Sequence, residues 1–512
     1  MHMSGQRIGI IDIGSNSVRL VIYERTESGA HRVVDGAKES ARLSNKIDDK
    51  GRLSDEGLYE LIDTLRHFTI LCSHHGIAHI RATATAAIRN AANCHDILHA
   101  IKRETGLAIE LLSGEEEASY GFLGMVNSLD VSDGYLIDIG GGSTELTLFR
   151  NRAIMHSVSL PFGCVSMNKQ YDSADGLSDD TLHELEQQVR KSLQGLEWAH
   201  TAPELPLIGI GGTVRALAKR HQAAVLYPFS APHNYTLRED QVNELFQHLR
   251  VLPLEDRRKL NGLSKDRADV ILPGIAILRV FFDTVQASHY WICGAGLRDG
   301  LFHATRFPSR PLLDDPLAYS VENMSALHTE APRGHVLHVN RLAMEMHAYL
   351  APSCPQLDAI SARLLDTASK LYRVGASIDY YDYAKHSFYL IIHAHLNGLS
   401  HREIVMTAAI ASFRSKGKAR NHIAPYRQLI DESDLELICK LGSLLQLAAA
   451  LDRSETQAIG TIKMNIADGQ LLIQPQDYHG HLGLERRETE ETASDFRKHW
   501  GLVPVLAMPA SY

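Results

Sequence analysis

A chain of 512 residues exceeds what one hydrophobic core organises, so three or four domains are expected. Its 44% hydrophobic and 22% charged residues describe ordinary globular protein. A net charge of −9 supplies no global attraction for a polyanion, so no nucleic-acid partner is expected and any phosphate-rich ligand must be held by local geometry.

The opening MHMSGQRIGI carries no apolar signal-peptide run, and no later segment reaches about 18 uninterrupted apolar residues. The six cysteines (Cys72, Cys94, Cys164, Cys293, Cys354 and Cys439) are scattered without C-x-x-C spacing. A cytoplasmic protein without membrane contact is expected.

The first third alternates strands and helices. RIGIIDIG is β-rich and ends in glycine; Leu58, Leu61, Ile62, Leu65 and Phe68 then recur at helical spacing behind Ser54, a predicted N-cap. GYLIDIGG repeats the strand-to-glycine junction. SDDTLHELEQQVRKSL predicts a helix capped by Ser178, with Leu182, Leu185, Val189 and Leu193 on one face. PLIGIGGT (206–213) and YWICGAGLRDG (290–300) add two further junctions of the same kind. The pattern is α/β, with ligand-facing loops where strands end.

Three prolines interrupt this pattern in TRFPSRPLLDDP (305–316), which predicts a linker. Residues 320 to 455 are helix-rich. Beyond them Ile462, Met464 and Ile466 alternate with polar residues, Asp468–Gly469 predicts a turn, and Leu471 and Ile473 resume the alternation. A small α+β C-terminal domain is expected.

One repeat stands out. IDIGSNSVRL (11–20) returns as IDIGGGSTEL (137–146), with Asp138 following Asp12 by the same 126 positions that separate Leu146 from Leu20. Each copy ends a strand on a carboxylate and turns on glycine, which lets successive N–H groups converge on an anion. Gly14, Ser15, Asn16 and Ser17 in the first copy, and Gly140, Gly141, Gly142, Ser143 and Thr144 in the second, are the candidate donors. Asp12 and Asp138 cannot bind phosphate directly but can hold Mg²⁺ or its waters beside one. A lone Asp–Ile–Gly turn is a common strand end; two in register predict a duplicated fold whose halves grip a phosphate chain across a cleft.

These residues closely resemble the exopolyphosphatase/guanosine pentaphosphate phosphatase family, within the actin/Hsp70/sugar-kinase superfamily. The matching pieces are IDIGSNSVRLVIYE, ATATAAIRNAAN, LLSGEEEASYGFLG, IDIGGGSTELTLF, PFGCVSM, GIGGTVRALA and CGAGLRDGLF, in the family's order over residues 7–302. The resemblance implies duplicated actin-like (ribonuclease H-like) domains with a cleft between them, a helical HD-like domain and the small final domain. The expected boundaries are 1–122, 123–304, 317–455 and 456–512. It also implies Mg²⁺ dependence, with a monovalent cation such as K⁺ as a further candidate, and stepwise removal of terminal phosphate from inorganic polyphosphate by a homodimer.

In the family pattern the catalytic glutamate is the one before the alanine of SGEEEA, here Glu117. Read alone, Ser113 is an N-cap, and Glu115 to Glu117 sit in the first turn, where the helix dipole favours carboxylates. Three glutamates there are also sound helix-start chemistry, which remains the reading for Glu115 and Glu116. The resemblance further implies Asp12, Asp138 and Glu145 as metal-side carboxylates and Arg89 as a phosphate contact. Gly211, Gly212 and Thr213 repeat the turn chemistry in the second domain, and Cys164 reads as packing.

HD phosphohydrolases bind metal through a distant His, an adjacent His–Asp pair and a later Asp. Here HVLHVNRLA offers His335 or His338, but Tyr372–Arg373 stands where the pair belongs, and Ala448–Ala449 precedes the remaining Asp452. No second metal-dependent phosphohydrolase is expected. His386, His393, His395 and His401 read as packing or surface residues. The basic cluster Arg414, Lys416, Lys418 and Arg420 is either a solvated loop or an attractor for a distal polyphosphate chain.

The leading reading is an exopolyphosphatase. The alternatives are hydrolysis of guanosine pentaphosphate to the tetraphosphate, an ATP-using kinase, which the SGEEEA match counts against, and a non-enzymatic polyphosphate or alarmone sensor.

Overall fold

The isoleucine-rich RIGIIDI forms strand β1 (Arg7–Ile13), because β-branched side chains suit a pleated run buried on both faces. The computed structural model describes residues 6–77 and 79–507; the first five residues read for a targeting signal lie outside them. β1 pairs antiparallel with β2 (Val18–Arg25), which pairs with β3 (His31–Glu39). On its other side β1 runs parallel to β4 (His79–Ala84), followed by β5 (Ile109–Leu111), giving the order β3-β2-β1-β4-β5.

The second sheet repeats this plan with β6 (Gly134–Ile139), β7 (Thr144–Arg150), β8 (Ala153–Leu160), β9 (Leu207–Ile210), β10 (Tyr235–Leu237) and β11 (Tyr290–Ile292). Its order is β10-β11-β9-β6-β7-β8. The duplication extends to defects in the ladder. Register slips between Ile22 and Tyr23 in the first sheet and between Leu148 and Phe149, the repeat-equivalent place, in the second. This is the duplicated α/β architecture that the resemblance implies.

Helices cover the sheets where the apolar spacing places them. Ser54 caps Asp55–His74 by accepting from Gly57 N–H at 3.1 Å, and Leu61, Ile62, Leu65 and Phe68 are buried. Ser178 caps Asp179–Leu193, whose Leu182, Leu185, Val189 and Leu193 enter the second core. Helix Gly114–Val126 runs through the expected 122/123 boundary and packs closely on helix Leu297–Arg306. A Cβ on Gly300 would collide with the Tyr120 carbonyl, so only glycine permits that approach.

Both lobes lie in one compact unit that ends at Pro316, residues 28–30 excepted; residues from 317 onward form a second unit. That second unit is helical from Pro316–Leu327 through Glu432–Ala450. It closes on a three-stranded sheet of β12 (Ile462–Ala467), β13 (Gln470–Pro475) and β14 (Val503–Leu506), packed by helix Gly483–Trp500. The predicted hairpin turns at Asp468–Gly469, both with positive φ, as a tight two-residue turn requires. Among the described residues no helix is long and apolar enough to cross a membrane.

Candidate active site

The two Asp–Ile–Gly segments fold into the same turn. Gly14 N–H donates to the Ser17 carbonyl at 3.2 Å, and Gly140 N–H donates to the Ser143 carbonyl at 2.9 Å. The turns abut: a Cβ on Gly141 would lie 2.9 Å from Ser15 Cβ and 3.5 Å from Asn16 N, so backbone meets backbone where a side chain would intrude. Between them opens a cleft of about 130 Å³.

Twelve of the predicted residues line that cleft: Asp12, Gly14, Ser15, Asn16, Ser17, Glu117, Asp138, Gly140, Gly141, Ser143, Gly211 and Gly212. Gly211 adopts φ +86°, and a Cβ there would collide with the Asp138 carboxylate, so glycine is required at that point. Four predicted residues stand behind the wall. Gly142 packs on Ser15, Thr213 is buried beneath its turn, Arg89 reaches the site through Glu117, and Glu145 is buried on β7, accepting from Ser159 Oγ at 2.8 Å. Thr144, a candidate donor, instead gives its hydroxyl to the Phe162 carbonyl at 2.8 Å, because its strand position points it inward.

Glu117 sits on the first turn of helix Gly114–Val126. Ser113 caps that helix and Glu116 completes a reciprocal capping box, while Glu115 is exposed, so its neighbours have helix-start roles. Glu117 faces inward, and Arg89 Nη1 donates to its Oε2 at 3.0 Å and to the Leu112 carbonyl at 2.7 Å. Both side chains are largely buried, at 14% and 19% exposure. Burial pushes the Glu117 carboxyl up to about 7, against the pull of Arg89 and with help from Asp138 and Asp12.

The neighbouring carboxylates move the same way. Burial raises Asp138 to about 6 and raises Asp12 despite nearby Arg298 and Arg19. Burial first, then repulsion from Glu117 and Asp138, holds Glu145 well above the usual carboxylate range. Acids whose ionised forms are penalised by burial suit a divalent cation placed beside them. Yet among the described residues no three His, Cys, Asp or Glu converge on one metal position. Two carboxylates with water and substrate oxygens are how Mg²⁺ is ordinarily held, so Asp12 and Asp138 fit that ion as one shared with a phosphate.

The lining is also cationic, a feature not read from the sequence. Arg19, Arg215, Arg267 and Arg298 all line the cleft. Burial and then repulsion from Arg298 and Arg215 lower Arg19 to about 10. Arg215 is anchored by the carbonyls of Gly211 at 2.8 Å and Gly294 at 2.9 Å, and the Arg267 guanidinium occupies the space a Cβ on Gly212 would take. Arg19, Arg215 and Arg298 stand inside the motifs already singled out, each close to a glycine turn, and that proximity was the available signal. Arg267 lies in no motif; only the fold brings it here.

In the second unit, His335 is held at both ring nitrogens. Nδ1 meets Asp452 at 2.8 Å and Nε2 meets the Tyr372 hydroxyl at 2.5 Å, all three residues buried. Arg373 pairs with Glu455 and lies over Tyr383. In the basic segment, Lys416 and Arg420 share Glu432 and Arg414 stacks on Tyr383. His401 is buried, and His393 and His395 are exposed.

A cleft of this kind belongs to proteins that handle phosphoryl groups, and its frame is the duplicated actin-like fold. The chain belongs to the Ppx/GppA phosphatase family: that family's model matches residues 5–305, and the model for Ppx/GppA phosphatase domain III matches residues 319–489. Exopolyphosphatase 1 of Mycobacterium tuberculosis and of Mycobacterium bovis is 28% identical over 306 residues, 58% of this chain and 87% of the relative. A Ppx/GppA family protein from Aquifex aeolicus superposes with TM-score 0.52 at 27% identity, covering 60% of this chain and 99% of that one. An exopolyphosphatase from Cytophaga hutchinsonii shares the fold, with TM-score 0.56 at 23% identity over 60% of this chain and 100% of its own.

Proposed function

We propose that the cleft hydrolyses the terminal phosphoanhydride bond of inorganic polyphosphate. The observation that carries this reading is Glu117: a buried carboxyl, pushed up to about 7 by burial, held by Arg89 at 3.0 Å and lining one cleft with the two glycine turns. In this reading N–H groups of the two turns and the four arginines bind the terminal phosphates and hold them in line. Glu117 accepts a proton from a water directed at phosphorus; the water oxygen bonds to phosphorus, the bridging P–O bond breaks, and orthophosphate leaves with a chain one unit shorter. A positioned base of this kind contributes roughly 10²–10⁴-fold. Asp12 and Asp138 would hold Mg²⁺, which offsets phosphate charge when bound. Positioning and electrostatics supply the remainder.

The relatives bearing the name exopolyphosphatase support an inorganic chain as substrate. So does the lining, which contains no aromatic ring on which a guanine would stack. The test is Mg²⁺-dependent phosphate release from long-chain polyphosphate and, in parallel, from guanosine pentaphosphate, with wild type beside Glu117→Gln. Release from polyphosphate that is lost in Glu117→Gln while binding persists is expected. Faster release from the nucleotide would replace the proposed substrate, and release undiminished by Glu117→Gln would remove the proposed base.

A further inference from the structure

Four of the six cysteines, Cys72, Cys164, Cys293 and Cys439, are sealed in cores at 0–1% exposure. Cys354 differs. It lies at the solvent edge of the second unit, 9% exposed, and the Lys440 ammonium donates to its Sγ at 3.3 Å. The two residues are 86 positions apart, so only the packing of that unit brings thiol and amine together.

The backbone holds both ends of the pair. Cys354 follows the short turn Ala351–Ser353; its N–H donates to the Ala351 carbonyl at 3.1 Å, and its carbonyl accepts from Leu357 N–H at 2.8 Å. Lys440 lies within helix Glu432–Ala450, and its carbonyl accepts from Ser443 Oγ at 3.0 Å and from Trp500 Nε1 at 3.2 Å. The Trp500 ring centre also stands 5.5 Å from Lys440 Nζ. Among the described residues no carboxylate pairs with this ammonium, so its neighbours are an aromatic ring and a sulfur atom. Oxidants attack the thiolate, and an adjacent ammonium is one of the groups that supports a thiolate. A sulfenic acid formed there would meet an amine already in contact with its sulfur, and sulfenic acids condense with nitrogen.

We propose that Cys354 and Lys440 form a covalent sulfenamide bridge when the protein meets a peroxide. The Cys354 thiol is oxidised to the sulfenic acid, and the peroxide is reduced, with one water released. The Lys440 amine, having given its extra proton to solvent, then attacks sulfur. The S–N bond forms, the S–O bond breaks, and the hydroxyl leaves as a second water with a proton from nitrogen. The bridge staples the turn after helix Arg333–Leu350 to helix Glu432–Ala450, and a link across so long a loop restricts the unfolded chain. Neither residue has a part in the hydrolytic reading, so the bridge is independent of it.

The experiment treats the full chain with hydrogen peroxide, alkylates free thiols, digests with trypsin and reads the peptides by mass spectrometry. Wild type is run beside Lys440→Arg and Cys439→Ala. The expected product is the Cys354 peptide joined to the peptide of Lys440, lighter than their sum by two hydrogen atoms, uncleaved after Lys440 and separated by dithiothreitol. It should persist in Cys439→Ala, which excludes a disulfide of the same mass to the neighbouring cysteine. It should vanish in Lys440→Arg, which keeps a cation beside sulfur but not the nucleophilic amine. Peroxide should also raise the melting temperature of wild type by several degrees relative to its effect on Lys440→Arg. Recovery of Cys354 unmodified or only as its oxygen acids, a joined pair that retains oxygen, or a pair lost in Cys439→Ala overturns the bridge.

Discussion

Arg19 and Glu145 occupy equivalent places in the two lobes yet carry opposite charges: Arg19 faces Asp12 across β1/β2, and Glu145 faces Asp138 across β6/β7. The duplication is thus broken at this position: Arg19 lines the cleft, whereas Glu145 is buried behind its wall. The two residues are expected to respond differently to neutralisation. Arg19→Gln should raise KM for polyphosphate about tenfold by removing a buried cation from the substrate field. Glu145→Gln should instead leave KM and the acidic limb of the pH–rate profile in place, because burial and the charges of Glu117 and Asp138 already hold Glu145 protonated. Steady-state kinetics across pH separates the two.

The Arg89–Glu117 pair has its own signature. Arg89 favours the ionised glutamate, so Arg89→Gln should push the Glu117 carboxyl above its present value near 7 and shift the pH–rate profile to the alkaline side. Glu117→Gln should lose roughly 10²–10⁴-fold in kcat with substrate binding retained. A profile that stays in place in Arg89→Gln would mean that another group sets the acidic limb.

The acid cluster also makes stability depend on pH. Glu117 and Asp138 have folded values, about 7 and about 6, above their unfolded values of 4.5 and 3.8. The folded state therefore binds their protons more tightly; their contribution is complete below about pH 4 and is lost as pH rises through 6 to 7. Metal-free protein should melt at lower temperature at pH 8 than at pH 5. Asp138→Asn should recover on the order of 1–2 kcal/mol at pH 8, a few degrees in Tm, while weakening activity. Added Mg²⁺ should raise the melting temperature of wild type at pH 8 more than that of Asp138→Asn.

In the second unit, Tyr372→Phe deletes the hydroxyl that meets His335 Nε2 and leaves a buried ring nitrogen without its partner. The expected cost is about 1–3 kcal/mol of stability, read as a lowered melting transition. Asp452→Ala should cost at least as much, since it strips the partner from the other nitrogen. If neither lowers the transition, this hydrogen-bonded trio is not what organises the helical core.

Composition and local pattern carried the sequence a long way. Strand-then-glycine junctions, the Ser54 and Ser178 caps and the Asp468–Gly469 turn are local, since backbone sterics and one or two hydrogen bonds decide them within a few residues. The repeat spacing of 126 made the duplication legible as well, because two copies of one turn need two copies of the sheet that presents it. What the sequence could not settle was which side chains converge. Arg267 reaches Gly212 from a distant segment, Arg89 reaches the cleft only through Glu117, and Thr144 turns its hydroxyl away. These depend on packing between elements far apart in the chain. So do the shifts at Glu117 and Asp138, whose cause is burial, a property that exists only once both lobes close around the cleft.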